Sequence, residues 1–296
     1  MTEVSGTTRL AGVIGWPLDH TLSPAMHNAG YAALGLDCVY IPLAVPDEAG
    51  LRRVAAAARS LPFVGFNVTM PYKQAALELC DDVAHMASVA GAVNTVHVTE
   101  GKLVGYNTDG RGLLESLESD AGLIAAGKHI ALLGAGGAAS SALVAFLLAK
   151  AASVTVVNRH EEAAEDLVAR VASVGPDTLL SYSVPEEGRA AIESADLVVN
   201  ATPLGMVLGD PSPVPREWLH EGQVVYDLVY GIETALVREA KEAGAAAFDG
   251  LGMLVCQGAT AADIWNGDSE LRMPRDVMRR AAEAALATRE GDTGQL

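Results

Sequence analysis

The sequence predicts an α/β fold built on parallel strands, and three observations carry that prediction. Short apolar, β-branched runs alternate with Ala-rich helical runs, the order that lays parallel strands side by side under crossover helices. A glycine-rich turn sits between one such strand and the helix that follows it. The 296 residues, 50% of them hydrophobic, suffice for two domains with full cores, so folding needs neither disulfide nor metal.

The elements follow in order. Leu10–Ile14, Val39–Leu43 and Phe63–Val68 read as strands, with helices near Pro24–Leu34 and Glu48–Ala58. In the first helix Ser23 is the expected N-cap, Pro24 suits the first helical position and Gly35 suits C′. A helix at Gly112–Leu117 opens a second series, with strands His129–Leu133, Ser153–Asn158, Leu197–Asn200 and Val224–Leu228 and helices between them. From about Leu254 to Arg289 the chain reads as helical, apart from a break around Gly267–Pro274. Boundaries near residues 112 and 248 give three segments, 1–112, 113–248 and 249–296.

Composition narrows the function. The formal net charge is −17, and a surface of that sign repels nucleic-acid phosphates and acidic lipids. No apolar run reaches the length of a bilayer span, and Met1–Arg9 lacks the basic-then-apolar plan of a signal peptide. Cys38, Cys80 and Cys256 are scattered and odd in number, so a reduced cytoplasm is expected. His20, His27 and His85 have no metal-binding spacing and are expected on helix or loop surface. Trp16, Trp218 and Trp265 are expected to pack rather than to stack on a ligand. The expected partner is a small molecule, and the sequence carries no signature of oligomeric state.

The glycine-rich turn points to a dinucleotide. His129 to Phe146 reads as strand, turn and helix, and Gly134, Gly136 and Ala139 fit G-x-G-x-x-A. Gly134 permits the tight turn, Gly136 lets the backbone approach a pyrophosphate, and Ala139 allows close packing of helix on strand. Gly137 and Ala138 complete the turn at the positive end of the helix. Where the second strand ends, an acidic residue would select NAD and a basic one NADP. Here Asn158 and Arg159 favour NADP, while Glu161 and Glu162 directly after keep NAD open.

Two further places carry polar residues where ligands gather. Thr21 and Ser23 bring hydroxyls to a helix start, where a carboxylate can dock; Ser23 reads equally well as a plain cap. In N-V-T-M-P-Y-K-Q, Asn67 to Gln74, Pro71 is expected to open a helix and place Lys73 in its first turn. A cation at the positive end of a helix releases its proton more readily, which suits proton transfer. Asp109 precedes the next helix and reads as a cap or as a functional carboxylate. Asn67, Thr69, Lys73, Asn94, Asn107 and Asp109 all fall at strand ends or helix starts, where α/β folds bind ligands.

Taken together the chain resembles the shikimate dehydrogenase family, including its quinate/shikimate relatives. The resemblance rests, in order, on H-T-L-S-P-A-M-H-N from His20, N-V-T-M-P-Y-K from Asn67, G-A-V-N-T from Gly91, G-Y-N-T-D-G from Gly105 and G-A-G-G-A from Gly134. It continues with N-R at Asn158, N-A-T-P-L-G-M from Asn200, Y-D-L-V-Y from Tyr226 and G-L-G-M-L-V-C-Q from Gly250. It implies an N-terminal α/β substrate domain, a Rossmann-type doubly wound cofactor domain, and C-terminal helices returning to the substrate domain. It implies Lys73 as acid/base paired with Asp109, and Thr21, Ser23 and Tyr230 near the substrate carboxylate. Thr69, Asn94, Asp109 and Gln257 would hold ring hydroxyls. The turn from Gly134 to Ala138 would cradle the pyrophosphate, with Asn158 and Arg159 near the adenosine ribose. Thr202, Leu228 and Gly250 would line the way to the nicotinamide. The implied reaction is reversible hydride transfer with NADP in a cleft between the domains.

The chain departs from the family pattern at three places. Thr21 stands where Ser is usual, and its methyl narrows the carboxylate pocket. His160 and Ala163 stand where Thr and a second Arg are frequent, which weakens a phosphate site. G-I-E-T after Tyr230 fits the quinate/shikimate branch as well as the biosynthetic one. The readings are therefore an NADP-dependent biosynthetic shikimate dehydrogenase, an NAD-using quinate/shikimate dehydrogenase, or a non-catalytic dinucleotide-binding sensor. The last predicts loss of the proton-transfer pair, yet Lys73 and Asp109 are both present.

Overall fold

The computed structural model describes residues 4–267 and 270–293. The chain divides into two compact units, one running to Thr108 and resuming at Val255, the other Asp109–Leu254.

The first unit contains β1 (Arg9–Gly15), α1 (Ser23–Leu34), β2 (Cys38–Ala44), α2 (Glu48–Ala58), β3 (Phe63–Val68), β4 (Asp82–Val83), α3 (His85–Ala90), β5 (Thr95–Thr99) and β6 (Lys102–Tyr106). The sheet order is β2-β1-β3-β5-β6-β4. β1 runs parallel to β2 and β3, whereas β5 is antiparallel to both β3 and β6. The strands expected at Leu10–Ile14, Val39–Leu43 and Phe63–Val68 thus pair in parallel, and the antiparallel β5, which the sequence did not single out, extends their sheet. The reversal is made by Glu100 and Gly101, at φ 50° and 74°, a two-residue turn whose positive φ angles match the twist of paired strands. Ile14, Leu51, Phe66, Val68, Val96 and Leu103 fill the core beside this sheet. Each helix edge has a local cause. Gly35 ends α1 in the left-handed region at φ 64°, as expected of a C′ glycine. The Asp47 side chain starts α2 by accepting the Gly50 N–H at 2.6 Å.

The second unit contains α4 (Asp109–Ala121), β7 (His129–Leu133), α5 (Gly137–Leu148), β8 (Ser153–Val157), α6 (Glu161–Val171), β9 (Leu179–Ser183), α7 (Arg189–Glu193), β10 (Leu197–Asn200), β11 (Val224–Asp227), α8 (Ala235–Glu242) and β12 (Ala246–Phe248). Its strands are all parallel in the order β12-β11-β10-β7-β8-β9. The order reverses between β7 and β10, the switch point at which doubly wound sheets bind ligands. α4 begins at Asp109, ahead of the expected Gly112. Its close approach to α5 depends on Gly110, where a Cβ would meet the Ser141 carbonyl at 2.5 Å.

α9 (Leu251–Trp265) begins in the second unit and continues into the first. α10 (Arg275–Thr293) packs against α1; Gly30 makes room there for Met273 and Met278. Trp265 is buried and donates its indole N–H to Val96 O at 3.0 Å. Trp218 packs against the core of the second unit. Trp16 corrects the packing expectation, since half of it is exposed. His20 and His85 are exposed, but His27 corrects the surface expectation: it is fully buried, stacked on Tyr40 with ring centroids 4.1 Å apart.

Candidate functional site

In the first unit, polar residues at the strand ends join into one buried network. The Tyr40 hydroxyl donates to Asn67 Oδ1 at 2.8 Å, and Asn67 Nδ2 donates to Asn94 O at 3.2 Å and Thr95 Oγ1 at 3.1 Å. Asn94 Oδ1 accepts the Thr108 N–H at 2.8 Å and the Thr95 hydroxyl at 2.9 Å. Asn94 Nδ2 donates to Thr108 Oγ1 at 3.0 Å and Gln257 Oε1 at 3.3 Å. Asn67, Asn94, Thr95 and Thr108 are all buried, with Gln257 half-buried at the network's edge. Asn107 braces the same turn through Ala92 O at 3.0 Å. Asn94 and Gln257, far apart in sequence, are thus brought together. Tyr40, Thr95 and Thr108 are not candidate residues from sequence, although Thr95 closes the G-A-V-N-T motif and Thr108 lies between Asn107 and Asp109 in G-Y-N-T-D-G.

Lys73 lies beside this network, on a different local structure from the one expected. No α-helix opens at Pro71: the chain makes a turn closed by Tyr72 N–H to Thr69 O at 3.0 Å, and a short 3₁₀ segment begins only at Ala75. The Lys73 carbonyl accepts the Val93 N–H at 2.8 Å, so it is spent sideways rather than on a helix ladder. Lys73 therefore does not occupy the first turn of a helix, and the expected dipole effect does not apply to it. What remains is placement, since Val93 precedes Asn94 and one backbone bond couples the half-buried lysine to the polar cluster. Thr69 is fixed by its N–H to Ile14 O at 2.9 Å, and its methyl occupies the space a Cβ at Gly15 would need.

Ser23 is not the cap of α1. It is the first helical residue, Leu22 before it is at φ −96° and ψ −9°, and no side chain caps in the usual sense. An N-cap residue is normally extended, with its side-chain oxygen turned back on the helix. Here Thr21 takes part of that task, its hydroxyl accepting the Ser23 N–H at 3.3 Å. Both hydroxyl residues stand at the start of α1.

The second unit carries the glycine turn that the sequence expects to cradle a dinucleotide. Gly134 adopts φ 106°, with its N–H on Val157 O at 2.8 Å; a Cβ there would lie 3.1 Å from Ala201 O. α5 starts at Gly137 with Gly136 as its cap, and a Cβ at Gly136 or Gly137 would meet nothing within 4 Å. The open space above these glycines and Ala138, at the amide-rich end of α5, fits a pyrophosphate. Ala139, fully buried, seats the helix on the sheet. At the end of β8, Asn158 Nδ2 donates to His160 O at 2.8 Å, and Arg159 and His160 are exposed ahead of Glu161 and Glu162.

Two loops beyond β10 and β11 are pinned by one buried carboxylate. Asp227 accepts from Asn200 Nδ2 at 2.9 Å, the Thr234 hydroxyl at 2.7 Å and the Val229 N–H at 3.1 Å. Burial pushes its pKa up, opposed by these three hydrogen bonds. Asn200 Oδ1 in turn accepts the Thr202 hydroxyl at 2.7 Å and the Thr202 N–H at 3.0 Å. Leu228 N–H reaches Asn200 O at 3.0 Å, and Gly250 N–H reaches Val229 O at 3.0 Å. Gly250 must be glycine, because a Cβ would collide with the Leu228 carbonyl. Thr202, Leu228 and Gly250 thus share one end of the unit, with half-buried Tyr230 in the same loop system. Sequence reading missed Asn200 and Asp227 as the anchors. Asp109 is buried in the first turn of α4 rather than capping it.

Comparison with known proteins adds the family. Residues 13–96 match the model of the shikimate dehydrogenase substrate binding domain. Residues 118–208 match that of shikimate / quinate 5-dehydrogenase. A shikimate dehydrogenase (NADP(+)) of Geobacter sp. (strain M21) is 43% identical, covering 96% of this chain and 98% of its own. One from Symbiobacterium thermophilum is 45% identical, covering 95% and 96%. The crystal structure of shikimate 5-dehydrogenase from Thermus thermophilus in complex with NADP(H) and shikimate superposes with a TM-score of 0.83. It is 38% identical and covers 94% of this chain and 100% of its own.

Proposed function

The chain belongs to the shikimate dehydrogenase family, and from that premise we propose that it reduces 3-dehydroshikimate reversibly to shikimate with NADP. When bound, the dinucleotide would supply the hydride from its nicotinamide carbon in its reduced form and take it back in its oxidised form as the reaction reverses. The protein supplies orientation and proton management. Lys73 gives its proton to the substrate oxygen as the ketone becomes an alcohol, and Asp109 hydrogen-bonds that hydroxyl and supports the lysine's charge. Thr21, Ser23 and Tyr230 hold the carboxylate, and Thr69, Asn94 and Gln257 hold ring hydroxyls. Gly134, Gly136, Gly137 and Ala138 hold the pyrophosphate, with Asn158 and Arg159 at the ribose and Thr202, Leu228 and Gly250 towards the nicotinamide. The observation that carries this reading is the Val93–Lys73 backbone bond, which sets a lysine beside a buried amide-and-hydroxyl cluster suited to a polyol.

The substrate is a small acid, and the −17 charge leaves nucleic acid without a role. No described helix is long and apolar enough to cross a membrane. The cytoplasm is the proposed compartment, since Cys38, Cys80 and Cys256 form no disulfide among the described residues. The test pairs shikimate and quinate with NADP and NAD, in the wild type and in Lys73→Ala. Shikimate with NADP should be the fastest pair, and Lys73→Ala should lower its turnover by roughly 10²–10⁴. Faster turnover of quinate with NAD would replace the proposed substrate and cofactor, and undiminished turnover in Lys73→Ala would remove the lysine's role.

A further inference from the structure

The loop from His20 to Ser23 has an anchor outside both family-model matches. Arg289, near the end of α10, donates from Nη1 to His20 O at 2.9 Å and from Nη2 to Thr21 O at 3.0 Å. One planar guanidinium thus spans two successive carbonyls, a fork geometry that lysine lacks. The arginine is brought there by packing. Met278 and Ala282 are fully buried on α10, and Arg289 falls on the same helical face three turns beyond Met278. Gly30 of α1 receives Met273 and Met278, which fixes α10 along α1 and aims its last described cation at the loop entering α1. Within the loop, the Thr21 N–H bonds Leu18 O at 3.0 Å and the Ser23 N–H bonds Thr21 Oγ1 at 3.3 Å. The segment is therefore held from both sides, by its own turn and by the arginine.

We propose that Arg289 is a positioning residue for the substrate carboxylate. By clamping the His20 and Thr21 carbonyls it fixes the two hydroxyl side chains at the start of α1 and keeps a positive charge behind them. This rests on the reading of Thr21 and Ser23 as carboxylate ligands. It adds a residue from α10 that touches neither substrate nor cofactor. Loss of the clamp frees the loop, so it acts on the ground-state grip of the acid rather than on proton or hydride transfer.

The test uses Arg289→Ala and Arg289→Lys in the full chain, with two readouts. The first is amide hydrogen exchange, without ligand, of the peptide covering residues 18–26. In Arg289→Ala it should exchange about tenfold faster, with Arg289→Lys between the two; unchanged exchange overturns the clamp whatever the ligand is. The second is steady-state kinetics with shikimate and with its uncharged methyl ester. Arg289→Ala should raise the shikimate KM about tenfold, leave kcat within about twofold, and leave the ester's KM unchanged. An equal rise for acid and ester, or a fall in kcat alone, overturns the carboxylate role even where exchange quickens. Failure of the underlying reading looks different: the loop exchanges faster in the variant, but the wild type does not turn shikimate over.

Discussion

Asn94 Oδ1 accepts the backbone N–H of Thr108 at 2.8 Å, and the next residue, Asp109, opens α4. One side chain therefore fixes the strand end that carries Gln257's partners and the chain just before the candidate carboxylate. Asn94→Ala leaves a buried N–H without its acceptor, a loss of about 1–3 kcal/mol. Gln257 Oε1 also loses the Asn94 donor and keeps the Thr108 hydroxyl at 3.4 Å. Urea unfolding should show that destabilisation, and kcat/KM for shikimate should fall by about tenfold or more through misplacement. Asn94→Asp keeps the acceptor, so it should recover stability and not activity. Wild-type unfolding in Asn94→Ala would show that the network does not hold the turn.

What the sequence reveals and what it hides divide along a physical line. The Gly134–Gly137 turn, Gly35 and the central strands are local: glycine at a positive φ and short β-branched runs declare themselves without knowledge of neighbours. The Lys73 turn is set by Val93, contributed by a later segment, so Pro71 misleads as a helix start. The β5–β6 reversal uses Glu100, a residue that does not advertise its turn type. β9 and β12 are short edge strands without a β-branched residue, and only pairing identifies them. His27 looks polar, yet α1 buries it under Tyr40, and no local pattern announces a stacked core histidine. Asp227 and Arg289 act through partners on other elements, so their part appears only once those elements meet.

The glycines of the dinucleotide turn separate folding from binding. A Cβ at Gly136 meets nothing within 4 Å, and its φ of −81° suits any residue. Gly136→Val should therefore leave the melting temperature within about 2 °C, while filling the space proposed for the pyrophosphate. The Kd for NADP, measured by calorimetry, should rise roughly a hundredfold. Gly134→Ala is the opposite case: φ 106° strains any L side chain, at about 1–3 kcal/mol, so it should melt earlier before any cofactor is added. Equal stability losses in the two variants would contradict this division.

His27 makes the first unit sensitive to acid. Burial lowers its pKa from 6.5 to about 3, and among the described residues neither ring nitrogen has a hydrogen-bond partner. The folded state therefore keeps the ring neutral while the unfolded chain takes up a proton below about pH 6.5. Stability is full above that value and drains as pH falls towards 3, at about 1.4 kcal/mol per pH unit. Between pH 6.5 and pH 5 this one residue should remove about 2 kcal/mol. His27→Leu fits a site bounded by Tyr40 and Trp265 and carries no proton. Its stability at pH 7 should equal or exceed the wild type, because it removes two unsatisfied polar atoms. Its pH profile should then lie flatter by that amount. Urea denaturation at pH 7, 6 and 5 measures both slopes, and parallel profiles would show that the buried ring does not govern the acid response.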